Sequence, residues 1–501
     1  MTEKIDTYKI PPQVSRVTET LKNAGFKAYL VGGCVRDLLL GREPKDWDAA
    51  TDATPEEIVK LFPHTFYENQ YGTVGVVNDD TDNERLKVIE VTPFRLESDY
   101  SDKRRPDTVS FSKNLEDDLK RRDFTINAFA LDISGKGKSG SFTGNITDMF
   151  DGRKDLENGL IRTVGDPHDR LSEDALRIMR AVRIAAELDF SIEKGTLEAL
   201  KTHASLLGHI AKERIRDEFV RIVMSDTPMN ALIMSRELGI IPFIAKELQE
   251  MYGVEQRGVH TYDVWEHSLR TIQHAADKNF RLEIRLAALL HDIGKPRTQK
   301  FSRETNKFTF YGHEVVGSKM AEKILRNLNF PTKLIQEVVK LVRWHMFFTD
   351  TEQITLSAVR RMVANVGKDL IWDLMNVRMA DRIGTGRPKE NPYRLRKYQA
   401  MIEEATRDPI SVGMLKVDGK SIMKIADLEP SPKVGLILNA LLEEVLEDPK
   451  LNTKEYLEKR TKELAKMPLE NLNKLAAIGK EKKAQKEEEE ILKIRGKHGV
   501  K

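Results

Sequence analysis

Residues 31–63 read VGGCVRDLLLGREPKDWDAATDATPEEIVKLFP. The run that leads into them, Lys27–Val31 (KAYLV), reads as a buried strand. Two glycines directly after a strand, Gly32 and Gly33, make a turn whose backbone N–H groups can approach an anion closely. The N-terminus of a following helix also favours negative charge. Arg36 adds a guanidinium fork suited to a phosphate. Taken alone, the glycine pair also fits a simple turn, and the third spaced glycine of a dinucleotide-binding loop is missing. Asp46 and Asp48 flank Trp47. In an extended segment such side chains share one face, and two carboxylates can hold one magnesium ion whose remaining ligands are substrate phosphates. A second ion there can activate an attacking hydroxyl and steady a leaving pyrophosphate. The same pair also fits a charged turn before the helix that Thr54-Pro55-Glu56-Glu57 opens.

Outward from this stretch the chain is mixed to about residue 150 and helical beyond it. A helix is predicted over residues 13–24. Strands are predicted at Thr73–Asn78, Leu86–Val91 and residues 126–133, the first two joined by a turn at Asp79–Glu84. The Gly/Ser-rich segment 134–147 reads as a flexible loop. Apolar residues at helical spacing then dominate, as in 172–188, 263–276, 315–327 and 434–447. The expected class is α+β: an N-terminal head with a small mixed sheet, then helical domains. At 501 residues the chain should hold about three or four domains.

Composition narrows the function classes. A net charge of +3 says little about partners, so any nucleic-acid site must come from local patches. No apolar run approaches the ~20 residues of a membrane span, and the N-terminus lacks the apolar core of a secretory signal. The single cysteine, Cys34, excludes an internal disulfide and a cysteine-based zinc site, and fits a reducing, cytoplasmic setting. Residues 384–393 read as a linker. From Leu451 onward, 14 Lys and Arg stand against 9 Asp and Glu, a local excess of 5 positive charges. The last part of that stretch reads as a solvated helix or frayed tail.

Two further constellations carry chemistry. Ser172 reads as the N-cap of a helix on which Asp174, Arg177, Arg180 and Arg183 recur every third residue. The three arginines span about 120° of its surface, opposite Leu176, Met179 and Val182. Asp174 and Arg177, about 60° apart, offer an acceptor and a donor fork to the edge of a base, or simply pair with each other. Farther on, six of the eleven histidines lie between His260 and His345. His267 sits on a predicted helix, His291-Asp292 ends the next apolar helix, and His313, His345 and Asp381 follow. His260 and His274 read as surface or core residues, His274 also fitting a supporting place behind the cluster.

These motifs resemble the class II tRNA nucleotidyltransferases, the CCA-adding enzymes and bacterial poly(A) polymerases. The resemblance covers residues 25–225, with five motifs in family order. It implies that Gly33 and Arg36 contact the triphosphate and that Asp46 and Asp48 hold catalytic Mg2+. It also implies that Glu90, in Glu90-Val91-Thr92, is the third carboxylate. Phe94–Pro106 (FRLESDYSDKRRP) resembles the family's flexible loop. Residues 121–128 (RRDFTINA) match its RRDxTxNA motif, which makes Arg122 a nucleotide contact. Asp151-Gly152, Asp155-Leu156 and Ile161-Arg162 match its head–neck junction. Glu173, Asp174 and Arg177 match the EDxxR helix that selects CTP and ATP, while Arg180 and Arg183 match positions that contact the nucleotide.

The histidine series is similar to the HD phosphohydrolase superfamily. That implies a four-ligand set, His267, His291, Asp292 and Asp381, extended by His313 and His345 as in the two-metal subset. Such a set suits Mg, Mn, Ni, Fe, Co or zinc. Lys295 is an implied phosphate contact. The expected layout is a head over 12–150, a helical neck over 151–250, an HD domain over 251–393 and a helical body over 394–501. The implied activity is addition of C, C and A to tRNA 3′ ends from CTP and ATP, with a second, phosphohydrolase activity. The rivals are poly(A) or A-only addition, a phosphohydrolase that uses the head to bind RNA, and a non-catalytic RNA-binding module. No membrane partner is expected, and monomer and dimer both stay open.

Overall fold

The structure, a computed structural model, describes residues 4–67, 72–98, 108–136, 142–256, 261–304, 307–347, 354–407, 412–469 and 471–472. The expected flexible loop beyond Ser98, His260 and the lysine-rich tail from residue 473 lie outside the described residues. The chain divides into two compact units, residues 1–246 and 247–501.

Among the described residues the first unit has twelve strands: a short parallel pair, Leu160–Ile161 with Ser191–Ile192, and ten that precede it, β1 (Lys4–Tyr8), β2 (Ala28–Val31), β3 (Asp48–Thr51), β4 (Thr65–Tyr67), β5 (Val74–Val77), β6 (Val88–Pro93), β7 (Arg95–Ser98), β8 (Thr108–Phe111), β9 (Phe129–Lys136) and β10 (Phe142–Asp148). Eight form one mixed sheet in the order β1-β10-β9-β2-β3-β6-β5-β4, and β7 pairs with β8. β2 is central. Its run AYLV is apolar because neighbours cover it on both sides, including the helix Pro12–Asn23, which buries Val14, Val17 and Leu21. β2 runs antiparallel to β3, with Leu30 opposite Ala49, and β3 runs parallel to β6, with Asp48 opposite Glu90. Thr54 starts the helix Pro55–Leu61 with a capping box, closed by Glu57. Such a cap contributes about 1 kcal/mol.

Three expectations change. The segment expected to be a loop over 134–147 is largely a hairpin, in which β9 extends to Lys136 and β10 opens at Phe142. Phe142, Gly144 and Ile146 alternate inward, and a Cβ on Gly144 would meet the Asp132 carbonyl at 2.5 Å. That glycine marks close strand packing, not a flexible link. The helix expected from Ser172 is two helices, Pro167–Glu173 and Leu176–Leu188, separated by an extended Asp174 (φ −139°, ψ 104°). Asp166 is the true cap of the first, and Ser172 lies inside it. Asp174 breaks the run because its carboxylate takes the Leu176 N–H at 3.0 Å, a local bond that competes with the helix. The turn expected at Asp79–Glu84 ends in a short helix, Glu84–Lys87.

Among the described residues the second unit is helical apart from a small hairpin, Lys300–Ser302 with Lys307–Thr309. The helices Val264–Asp277, Leu282–Leu290, His313–Asn327, Thr332–Trp344 and Ile371–Gly384 pack on one another. Leu282–Leu290 runs through their middle: seven of its residues, Ile284 to Leu290, are buried, with Arg285 donating to the Phe280 carbonyl at 2.8 Å. The expected linker is a non-helical link between Gly384 and Tyr393. Beyond it, Ile422, Ile437, Leu441, Val445, Leu457 and Leu464 form a separate apolar cluster. Among the described residues no helix is long and apolar enough to cross a membrane.

Gly294 marks a close approach of two backbones in this unit. A Cβ there would lie 2.2 Å from the His313 carbonyl and 2.7 Å from the Gly317 nitrogen. These are backbone atoms on a packed helix, so the clash cannot be relieved by a rotamer change. Gly294→Ala should therefore cost about 1–3 kcal/mol. Calorimetric unfolding should register this as a lowered Tm; an unchanged transition would mean the two backbones separate freely.

Candidate functional site

In the first unit the β2–β3 register sets the turn beside Asp48. Gly32 has φ 78°, ψ −137°, a conformation that side chains resist. A Cβ on it would meet the Arg122 guanidinium at 2.8 Å and Asp48 Oδ2 at 3.7 Å. The residue whose lack of a side chain is indispensable is thus Gly32, one before the expected Gly33. Gly33 opens the helix Gly33–Leu39. Cys34 lies beneath the turn, with Sγ 3.2 Å from the Val31 carbonyl, and burial pushes its thiol up to about 12.

Asp48 and Glu90 stand side by side on β3 and β6. Asp46 lies on the bend before β3, exposed, rather than on the strand itself. Burial raises the Asp48 carboxyl above its usual range, Arg122 opposes this, and the Asp46 charge adds to it. A buried carboxylate whose ionisation a neighbouring carboxylate makes costlier is a fit setting for a divalent cation.

The expected arginines all stand in a lattice of carboxylates. Arg36 donates to Asp37 at 2.8 Å and to Asn127 Oδ1 at 2.7 Å. Arg122 donates to Asp118 at 3.0 Å, and Arg121 binds the same carboxylate at 2.6 Å. Arg180 donates to Asp123 at 2.8 Å, and Arg183 to Glu218 at 2.9 Å and Glu187 at 3.0 Å. Burial alone would raise Asp123, but Arg180 outweighs it and holds the carboxyl far below its usual range. Asp174 and Arg177 do not pair with each other, the alternative that their i,i+3 spacing left open. Asp174 instead accepts from Arg214 at 2.7 Å. Arg177, nearly buried, donates to Glu173 at 2.7 Å and to the Arg170 and Arg121 carbonyls, each at 3.1 Å. The helix break at Asp174 turns the two side chains apart.

In the second unit all six expected residues converge. His267, His291 and Asp381 bring ligand atoms within 4.8 Å of one another, and so do Asp292, His313 and His345; all six are buried. The Nε2 atoms of His267 and His291 are 3.0 Å apart, and those of His313 and His345 are 3.3 Å apart. Asp292 joins the two sets, with Oδ2 3.2 Å from His267 and Oδ1 3.2 Å from His313. A shared ion with ligand bonds of about 2.1 Å keeps its donors about this far apart. Three imidazoles are oriented alike. The Nδ1 atoms of His291, His313 and His345 lie 2.7–2.8 Å from the carbonyls of Ala288, Phe310 and Val342, which turns each Nε2 inward. Burial pushes His345 down to about 4; for His267 burial acts the same way, but Asp292 and Asp381 overcome it and push it up to about 9. Lys295 donates to Asp292 at 2.6 Å and Arg378 to Asp381 at 2.5 Å. His274 stands outside the cluster, 2.9 Å from Glu390.

The Poly A polymerase head domain matches residues 28–162, the HD domain residues 264–382, and the probable RNA and SrmB-binding site of polymerase A residues 189–252. A CCA-adding enzyme of Ligilactobacillus salivarius is 32% identical over 453 residues, spanning 89% of this chain and 95% of the relative. This chain belongs to the CCA-adding enzyme family. A second member, from Levilactobacillus brevis, is 33% identical over 85% of this chain and 91% of its own. The crystal structure of the Bacillus stearothermophilus CCA-adding enzyme in complex with CTP superposes with a TM-score of 0.65. It is 28% identical and covers 91% of this chain and 98% of its own. Family membership makes the protein a nucleotidyltransferase with an attached HD domain.

Several residues of the lattice carried no expectation. Asp123 and Asn127 lie inside the RRDFTINA motif, where the sequence signal was already present. Arg214 and Glu218 come from another helix and had no local signal, whereas Asp118 lies four residues before Arg122, at the spacing of a helical ion pair. Asp118 is fully buried between Arg121 and Arg122, and although burial raises its carboxyl, those two charges hold it below the usual range. A depressed folded pKa stabilises above the unfolded value of about 3.9 and is lost as pH falls through the folded value. Asp118→Ala should cost about 3–5 kcal/mol at neutral pH. In urea titrations the gap to the wild type should narrow below about pH 4. A gap independent of pH would mean that the carboxylate's charge contributes nothing.

Proposed function

We propose that the protein adds C, C and A in turn to tRNA 3′ ends, from CTP and ATP and without a nucleic-acid template. The observation that carries this is Asp48 in register with Glu90 at the edge of the Gly32–Gly33 turn. The ribose 3′-hydroxyl of the tRNA attacks the α-phosphate in line; the new P–O bond forms as the bond to pyrophosphate breaks. Asp46, Asp48 and Glu90 hold the catalytic magnesium, which when bound supplies charge stabilisation to this phosphoryl transfer. Gly33 and Arg36 receive the phosphates, and Arg122, Arg180 and Arg183 steady the triphosphate. Each of these arginines already has a carboxylate or amide partner, so each is aimed before the nucleotide arrives.

Asp174 and Arg177, with Glu173, read the base edge. Their protein partners make selection sharp: a base of the right pattern can take over the bonds that Arg214 and Glu173 make, whereas a wrong base leaves a largely buried charge without a partner. The tRNA itself is held by shape and backbone charge.

The HD domain is a second, separate centre, a metal-dependent phosphohydrolase acting on 2′,3′-cyclic or 2′-phosphate RNA ends. Its complete set of six buried ligands supports this. A Mg, Mn, Ni, Fe or Co ion held by these residues would polarise the phosphate. Water adds to phosphorus and one P–O bond to ribose breaks, leaving a monoester or a free hydroxyl. Lys295 and Arg378 hold Asp292 and Asp381 in place. Such an activity would restore the free hydroxyl that the head requires.

Asp48→Ala, and separately Asp46→Ala, should abolish nucleotide addition to tRNA lacking its 3′ end while leaving tRNA affinity within about twofold, since charge stabilisation supplies most of this catalysis. Labelled CTP, ATP, UTP and GTP offered singly, followed by sequencing of the products, checks this and separates CCA from A-only and poly(A) addition. Near wild-type turnover in either variant would remove the site assignment. His291→Ala with Asp292→Ala should erase hydrolysis of a cyclic-phosphate end and leave CCA addition to a clean end intact. If the wild type hydrolyses nothing with magnesium, manganese, nickel, iron or cobalt, the cluster is a structural metal site.

A further inference from the structure

More positive charge surrounds the histidine cluster than the cluster itself engages. A cavity of about 870 Å3 opens over it, with Asp292, His313, His345 and Asp381 in its wall. Two cations in that wall are committed, Lys295 to Asp292 and Arg378 to Asp381. Farther along the chain, Arg387 and Arg394 line the same cavity. Arg387 is half-buried on the link after Ile371–Gly384, and Arg394 is exposed at the start of Tyr393–Arg407. Among the described residues neither has a carboxylate within ion-pair distance. Two tyrosines also line the cavity, Tyr311 and Tyr393, 49% and 68% exposed.

A phosphate under hydrolysis would meet the metal ligands, with Lys295 and Arg378 close behind them. It does not need Arg387 and Arg394. Guanidinium forks without partners suit another phosphate, and solvent-accessible tyrosines suit a base. The volume lies toward the upper end of the range that holds a small ligand, which leaves room for more than one phosphate.

We propose that Arg387 and Arg394 form a second phosphate subsite of the HD centre. It holds the internucleotide phosphate one step 5′ of the phosphate that is hydrolysed, while Tyr311 and Tyr393 offer their faces to the adjoining bases. The proposal rests on the reading of this centre as a phosphohydrolase of RNA ends, and makes its minimal good substrate a dinucleotide.

The test uses the full-length, metal-loaded protein. Hydrolysis of adenosine 2′,3′-cyclic phosphate is compared with that of ApA ending in the same cyclic phosphate. The dinucleotide should show kcat/KM higher by about tenfold or more, the effect of one charged hydrogen bond. Arg387→Ala with Arg394→Ala should remove that preference and leave the mononucleotide rate unchanged. A second readout needs no turnover. In calorimetry, ApA without a terminal phosphate should bind at least about tenfold tighter than adenosine, with the gain lost in the double variant.

Equal rates and equal binding for the long and short ligands would overturn the subsite while the phosphohydrolase reading stands. Arginine-dependent ApA binding without any hydrolysis would keep the subsite and remove the phosphohydrolase reading. Arginine-dependent binding of ATP but not of ApA would overturn the RNA assignment in favour of a free nucleotide. Circular dichroism melts of the double variant guard against a folding defect, and Arg394→Glu provides an independent, single-site check in which ApA binding should fall further than with alanine.

Discussion

The register of β2, β3 and β6 is the constraint from which the head's chemistry follows. β2 and β3 run antiparallel, so the residue that leaves β2, Gly32, lies beside the residue that enters β3, Asp48. β3 and β6 run parallel, so Glu90 comes up on the other side at the same level. Three separated pieces of chain thereby meet on the central strands of the sheet. A slip of one residue in β3 would turn Asp48 to the opposite face and bring Ala49 into its place. In β6 the buried Ile89 and Val91 alternate with the exposed Glu90, which helps to fix that register.

The helical part of the first unit answers with a different kind of order, a set of shared charges. Arg180 and Arg183 lean on one glutamate, Glu218, and Arg121 and Arg122 on one aspartate, Asp118. Charges this far from water are costly unless paired, so the lattice holds together or fails as a group. Through Asp118 it also holds the Arg122 guanidinium beside the turn at Gly32. The second unit reaches similar rigidity with backbone carbonyls, three of which orient histidine rings from three residues earlier in the chain.

Much of this was legible in the sequence, where the information is local or periodic. KAYLV, TVGVVN and the apolar helical spacings announce themselves because each element repeats its own signal every two or three to four residues. The six histidine-cluster residues were legible as an ordered set, and their convergence follows once the helices that bear them pack. What escaped was tertiary. Nothing near Asp174 says that Arg214 will take its carboxylate, and nothing near Arg183 says that Glu218 will take its guanidinium. The helix break was hidden because Ser172-Glu173-Asp174-Ala175-Leu176 is as good a helix start as a helix interruption. The hairpin at 134–147 was hidden because glycine signals flexibility and close packing with the same letter, and only Asp132 across the strand distinguishes them.

The buried Cys34 has a consequence of a different sort. Its thiol is the only one in the chain, it is 2% exposed, and its acidity is displaced upward to about 12. A thiolate is the reactive form, so this sulfur is silent toward alkylating and oxidising reagents while the fold is intact. The protein is therefore naturally suited to single-site labelling: a cysteine introduced at any exposed position becomes the sole reactive thiol, and the native one becomes a reporter of unfolding, reacting only when the floor of the Gly32 turn opens.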